Sequence, residues 1–184
     1  SIAAIENDKY LIRAAHQINR PDFLQITDED GRRKAYTGWK NPPYSVYEEI
    51  PFWYDGNGTV NGVRSGGYLY DRTCGECIPI TPEDFYLDCF SIHEGKVVYS
   101  GTFSDNGVKR EKQGMYLYST ETQKTDELIS PGNDDIYCAE FVDGELILAI
   151  ADGTIYGRKL DPDFYSFDIE RKQRNLIAHY DRPV

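Results

Sequence analysis

Gly67-Tyr68-Leu69-Tyr70-Asp71, Met115-Tyr116-Leu117-Tyr118-Ser119 and Phe164-Tyr165-Ser166-Phe167-Asp168 are one pattern written three times. Tyr68 to Tyr116 is 48 residues, and Tyr116 to Tyr165 is 49. Each copy leads through a short polar stretch to a second one: Ile78-Pro79-Ile80-Thr81-Pro82, Glu127-Leu128-Ile129-Ser130-Pro131 and Asn175-Leu176-Ile177-Ala178. A third pattern keeps step with these. Cys89-Phe90-Ser91-Ile92 precedes Glu94-Gly95-Lys96-Val97-Val98-Tyr99, and 49 residues on Cys138-Ala139-Glu140-Phe141 precedes Asp143-Gly144-Glu145-Leu146-Ile147-Leu148. Glu94-Gly95 and Asp143-Gly144 between apolar runs are hairpin turns. Asn7-Asp8 before Lys9-Tyr10-Leu11-Ile12 reads as an earlier copy.

Each unit therefore reads as four short strands. Alternation in Tyr-Leu-Tyr places both aromatics on one face, as a half-buried strand requires. Four antiparallel strands at a period of about 40–50 residues is the signature of propeller blades. Between residues 50 and 184 no stretch carries the i, i+3, i+4 apolar spacing that a helical repeat needs. The expected fold is an all-β propeller segment of about three four-stranded antiparallel blades. Blade 1 spans about 1–82, with an insertion over 13–50; blade 2 spans about 83–131 and blade 3 about 132–184. Within the insertion, the polar run from Asp22 to Lys34 suits a short helix or an irregular excursion. Asn41-Pro42-Pro43 is a break, and Asp55-Gly56-Asn57-Gly58 a hairpin turn. An insertion of this length within one blade points to function.

Bulk composition narrows the partners. Of 184 residues, 40% are hydrophobic, so the chain can form a packed core. The formal net charge of −11 opposes binding to phosphate backbones, so no nucleic-acid partner is expected. The same charge disfavours anionic membranes. No apolar run reaches the length of a membrane span, and no basic-then-apolar leader opens the chain. It starts at Ser1 rather than Met, as a piece of a longer chain would. Four cysteines are too few for a disulfide framework, and Cys89 and Cys138 lie in apolar strand-like stretches. They read as reduced thiols in a cytoplasmic protein.

Catalytic motifs are missing from these residues. Gly62-Val63-Arg64-Ser65-Gly66 is not a Gly-x-Ser-x-Gly nucleophile elbow, and no phosphate-binding Gly-rich loop occurs. Cys74-Gly75-Glu76-Cys77 lacks two further ligands at matched spacing, and in the repeat it aligns with the polar turn holding Thr122 and Thr125. No catalytic residue, metal site or cofactor is expected. Glu48 and Glu49 are the candidate binding residues. They follow Tyr44 and Tyr47, precede Phe52-Trp53, and offer paired carboxylates to a positively charged substrate group.

The blade pattern resembles the N-terminal propeller of prolyl oligopeptidase-family (S9) serine peptidases. Asn19-Arg20-Pro21-Asp22-Phe23, Asn41-Pro42-Pro43-Tyr44, Glu48-Glu49-Ile50-Pro51-Phe52-Trp53-Tyr54 and Ile155-Tyr156-Gly157 are similar to a bacterial acylaminoacyl/oligopeptidase-like branch. The resemblance covers residues 1–184 and implies a two-domain serine peptidase as parent. Its propeller gates or docks peptide substrates for a covalently linked α/β-hydrolase domain, which these residues do not contain. In the dipeptidyl-peptidase branch a Glu-Glu pair in the propeller binds the substrate's free amino terminus, and Val46-Tyr47-Glu48-Glu49 looks similar. The alternative is a stand-alone TolB-like or sensor-type propeller that binds a protein or peptide. A small-molecule-binding, lactonase-like propeller is a weaker third reading. Three blades also leave two outer sheet faces uncovered, so self-association through them is expected.

Overall fold

The computed structural model describes residues 1–6, 8–17, 26–40, 53–54, 58–59, 62–105, 108–152 and 162–179. Its first sheet begins with β1 (Ile2–Glu6) and β2 (Lys9–Gln17). The chain then leaves the sheet for α1 (Glu29–Lys40) and the short pair β3 (Trp53–Tyr54) and β4 (Gly58–Thr59). It returns as β5 (Val63–Asp71) and β6 (Glu76–Pro79), completing the order β1-β2-β5-β6. The second sheet is β7 (Phe85–His93), β8 (Lys96–Asp105), β9 (Val108–Ser119) and β10 (Lys124–Gly132). The third is β11 (Asp134–Val142), β12 (Glu145–Asp152), β13 (Asp163–Asp168) and β14 (Gln173–Ala178). All three are antiparallel, and strands next to each other in sequence pair throughout, except across the insertion in the first. This is the three-bladed arrangement that the 48–49-residue repeat implies.

The turns repeat as closely as the strands. Glu94-Gly95 and Asp143-Gly144 are two-residue loops with φ of 45°, 71°, 50° and 84°. Positive φ at both central residues matches the right-handed twist of a hairpin. Asp8, at φ 66°, stands at the corresponding turn of the first sheet. The second turn of each sheet holds four residues and ends in a left-handed residue: Gly75 (φ 74°), Gln123 (φ 54°) and Lys172 (φ 53°). A side chain at its start caps it each time: Asp71 to the Thr73 amide, Ser119 to the Thr122 amide, Asp168 to the Arg171 amide. Cys74 lies inside the first of these turns and Cys77 on β6 just beyond it, matching Thr122 and Thr125.

The sequence places the insertion at 13–50. In the structure β2 continues through Gln17, paired with Val63, so residues 18–62 separate the second strand from the third. The helix is also displaced. It starts at Glu29, where the Asp28 carboxylate caps the Gly31 amide at 2.5 Å, and runs to Lys40. Asp28 supplies the N-cap that the first turn needs, and Pro42 and Pro43 follow closely, where a helix cannot continue.

Two cores fill the spaces between sheets. Leu11, Leu69, Ile80, Phe85, Leu87, Val97, Tyr99, Tyr116 and Tyr118 lie between the first and second. Val98, Met115, Leu128, Ile136, Ala139, Leu146, Leu148, Ile150 and Phe167 lie between the second and third. Strand alternation divides β8 between them, Val97 and Tyr99 on one face and Val98 on the other. Polar ties add to the apolar contact. The Arg13 guanidinium donates to Ser65 Oγ (2.9 Å) and to the Asp88 carbonyl (3.0 Å), joining the first two sheets. Gln113 donates to Asp88 (2.9 Å) and accepts from the Ile136 amide (2.5 Å), joining the last two.

Equivalent positions also identify the outer faces. Ile80, Leu128 and Ile177 occupy the same place in successive sheets. Ile80 and Leu128 are buried against the next sheet, whereas Ile177 is 56% exposed. At the other end Ile2 opposes Ile12, as Phe90 opposes Tyr99 and Ala139 opposes Leu148. Phe90 and Ala139 pack on the preceding sheet, and Ile2 is 70% exposed.

Candidate functional site

Strand direction sorts the connections onto two ends of the sheets. The two- and four-residue turns share one end. Arg72 and Asp8 meet there at 2.8 Å, and the Gly95 carbonyl accepts from the Thr120 amide at 2.9 Å. Thr120 reaches Glu6 of the first sheet at 3.4 Å, so the turn ends of neighbouring sheets coincide. The 18–62 insertion, the β8–β9 connection and the β12–β13 connection leave from the opposite end. The candidate site is that loop-bearing end, and the first sheet carries most of its chain.

Glu48 and Glu49 lie outside the described residues. What is described is the root from which their segment grows. His16 opposes Arg64, and Gln17 opposes Val63, where the β2–β5 ladder ends. His16 Nε2 lies 3.3 Å from the Glu83 carbonyl, which can only accept, so Nε2 carries the proton. Nδ1 then accepts from the Tyr68 hydroxyl at 3.0 Å. Burial, with the Cys77 and Glu83 side chains adding to it, pushes the Tyr68 phenol up, so Tyr68 remains a neutral donor. These bonds tie the end of β2 to β5 and to the link between β6 and β7.

Arg64 is the second anchor, with only 2% of its surface exposed. Its Nη1 donates to the Tyr86 hydroxyl at 2.6 Å and to the Val63 carbonyl at 3.2 Å, and Nη2 donates to Ser104 Oγ at 3.2 Å. The guanidinium also lies 4.6 Å from the centre of the Tyr86 ring. A buried guanidinium keeps its charge, so this root carries a fixed positive charge in an acidic chain. Sequence reasoning read the Gly62–Gly66 stretch for a nucleophile and passed over Arg64. Strand alternation puts Arg64 on the face of Tyr68 and Tyr70 and not on that of the core residue Leu69, so periodicity gives no signal for it; its burial comes from Tyr86 and Ser104 of the next sheet.

Among the described residues no group of three or more His, Cys, Asp or Glu side chains could hold a metal ion. Cys74 and Cys77 are exposed, and the Cys74 thiol lies 4.0 Å from the Asp71 carbonyl within its turn. Cys89 and Cys138 occupy equivalent places on β7 and β11. The Cys89 thiol is 3.0 Å from Ser100 Oγ, and burial pushes both thiols up, away from the reactive thiolate. No described helix is long and apolar enough to cross a membrane.

No family model matches the sequence, and no curated protein matches it. Solved structures do. One is the acylaminoacyl peptidase of Pyrococcus horikoshii, similar at a TM-score of 0.57 and 14% identity over 96% of this chain. That match takes in 25% of the peptidase chain, so the present chain spans about a quarter of its length. At that identity the likeness is one of fold. Three four-stranded antiparallel sheets, stacked face to face and joined in repeating register, make this chain three consecutive blades of a β-propeller.

Proposed function

We propose that this chain is the non-catalytic propeller module of an S9-type serine peptidase, docking or gating peptides for a hydrolase domain in the parent protein. One observation carries the reading: the blade with the large insertion sends it out at the end opposite the tight turns, rooted on a buried Arg64 and the His16–Tyr68 pair. A module that steers peptides needs a projecting segment on a rigid base. The resemblance around Glu48-Glu49 and the likeness to part of an acylaminoacyl peptidase support it. Glu48 and Glu49 then receive a peptide's amino terminus as charge-assisted acceptors, and no cofactor is involved.

The outer faces fit the same reading. The exposed Ile2 and Ile177 stand where interior blades present buried residues, so both faces are seats for further blades, of the parent chain or of a second copy.

The test is kinetic, in the full-length protein. Glu48→Ala or Glu49→Ala is expected to raise KM for peptides with a free amino terminus by about 10–100-fold, the worth of a hydrogen bond to a charged group. N-acetylated peptides should be turned over as before. Equal turnover of both peptide classes by both variants would reduce the pair to surface charge. A reading frame that ends without a Gly-x-Ser-x-Gly domain would leave the stand-alone interaction propeller as the better account.

A further inference from the structure

The two inter-sheet spaces are built from equivalent positions but are filled differently. Between the second and third sheets, the Arg174 guanidinium lies 5.1 Å from the centre of the Tyr165 ring and pairs with Asp134 at 2.6 Å. In the preceding interface the same three places hold Thr125, Tyr116 and Phe85, each 49 residues earlier. Strand register confirms the equivalence. Thr125 opposes Tyr118 as Arg174 opposes Phe167, and Tyr116 opposes Tyr99 as Tyr165 opposes Leu148. Phe85 opposes Phe103 as Asp134 opposes Asp152.

With threonine in the arginine's place, a cavity of about 310 Å³ opens beside Tyr116, bounded by Phe85, Tyr99, Phe103 and the 79–82 link. Tyr99 and Tyr116 stack at 5.5 Å between centroids, and Phe85 meets both edge-on at 5.7 Å. An organic cation is stabilised over such ring faces. Polar groups stand at the wall. The Tyr99 hydroxyl bonds the Ile80 carbonyl at 3.3 Å. The Glu127 carboxylate lies near enough to Tyr116 that, with burial as the larger cause, it helps push that phenol up to about 12. Tyr116 therefore stays neutral; none of the residues lining the cavity is acidic, so its rings alone hold the charge that Asp134 shares next door. A volume near 300 Å³ is at the lower end for ligand pockets and exceeds what one side chain needs.

We infer that the cavity between the first and second sheets binds an arginine side chain presented by a peptide, its guanidinium stacked on Tyr116 as that of Arg174 is on Tyr165. The neighbouring interface thus carries its own internal copy of the complex. This inference stands apart from the peptidase reading, because it needs neither the insertion nor a hydrolase domain.

The probe is the blocked tripeptide acetyl-Gly-Arg-Gly-amide, titrated into the 184-residue protein by calorimetry or NMR. Saturable binding in the millimolar range is expected, as suits one cation over a ring cage. The citrulline analogue, of similar shape without charge, should bind at least tenfold more weakly. Free L-arginine, which adds a carboxylate beside an acidic surface, should also bind more weakly than the peptide. Thr125→Arg places a guanidinium in the cavity and should abolish binding. Thr125 is exposed on β10, and circular dichroism checks that this variant folds. Tyr116→Phe keeps the ring and should retain binding, whereas Tyr116→Leu should weaken it at least fivefold. Equal binding of the citrulline peptide, tighter binding of free arginine, or full binding by folded Thr125→Arg would each overturn the inference, as would no saturable binding at all.

Discussion

The interface between the first two sheets is aromatic, and the one between the last two is aliphatic. Phe85, Tyr99, Tyr116 and Tyr118 dominate the first, while Leu146, Leu148, Ile150 and Ile136 dominate the second. Backbone register is the same in both. The difference teaches that the repeat fixes where side chains meet, not how completely they fill the space. In the aliphatic interface Arg174 lies over the Tyr165 ring, where the aromatic one has Thr125 beside Tyr116. Rigid rings meet edge to face and leave a cavity. The aromatic interface is as buried as the other, with Phe85 at 0% and Tyr99 at 2% exposure, yet its rings border a cavity.

The largest expected effect is in the aliphatic interface. Leu148 is fully buried there, and Leu148→Ala should cost about 2–5 kcal/mol in urea unfolding, the range for such deletions. Tyr99→Leu, at the equivalent place in the aromatic interface, should cost clearly less, because its ring already borders a cavity. Equal losses would erase the distinction. A smaller, pH-dependent effect belongs to the aromatic side. Burial raises the phenols of Tyr99, Tyr116 and Tyr118, with Tyr116 at about 12. A group with a raised folded pKa contributes its stability below its unfolded value, near 10, and loses it as pH climbs towards the folded value. Thermal melts should therefore fall between pH 10 and 12, with a shallower fall in Tyr116→Phe. An unchanged slope in that variant would remove Tyr116 from the account. The smallest effect compares turns. Gln123 holds the left-handed position that Gly75 holds in the first sheet. Gln123→Gly should leave stability within about 1 kcal/mol of the parent and more often raise it, since glycine adopts this conformation without steric cost. A larger loss would mean that the glutamine side chain contributes to the turn.

Sequence alone made the blades readable because each strand pattern recurs with its turn. Tyr68, Tyr116 and Tyr165 give the period, and Glu94-Gly95 and Asp143-Gly144 mark the hairpins. Chemically suggestive cysteines lost significance once Cys74 and Cys77 aligned with Thr122 and Thr125. The insertion was less legible, having no second copy to align with. The start expected at 13 falls five residues early, because Arg13-Ala14-Ala15-His16-Gln17 has no apolar alternation to mark it as strand. What holds those residues in the sheet is pairing with β5, a long-range contact that local pattern does not encode. Arg64 and His16 were missed for a related reason. Their roles come from partners far along the chain, Tyr86, Ser104 and Glu83, and a lone arginine or histidine in a sequence names no partner. The cavity was hidden as well, since only the two interfaces side by side show Thr125 in the place of an arginine.

The division of β8 between two cores has a thermodynamic consequence. The middle sheet is the shared term in both interfaces, so each end sheet is held by one core and the middle by two. In a linear array with nearest-neighbour coupling, an end unit can open while the rest stays folded, but opening the middle unit dissolves both couplings together. Either end sheet is thus a separable cooperative unit, and the middle sheet is the last structure the chain gives up.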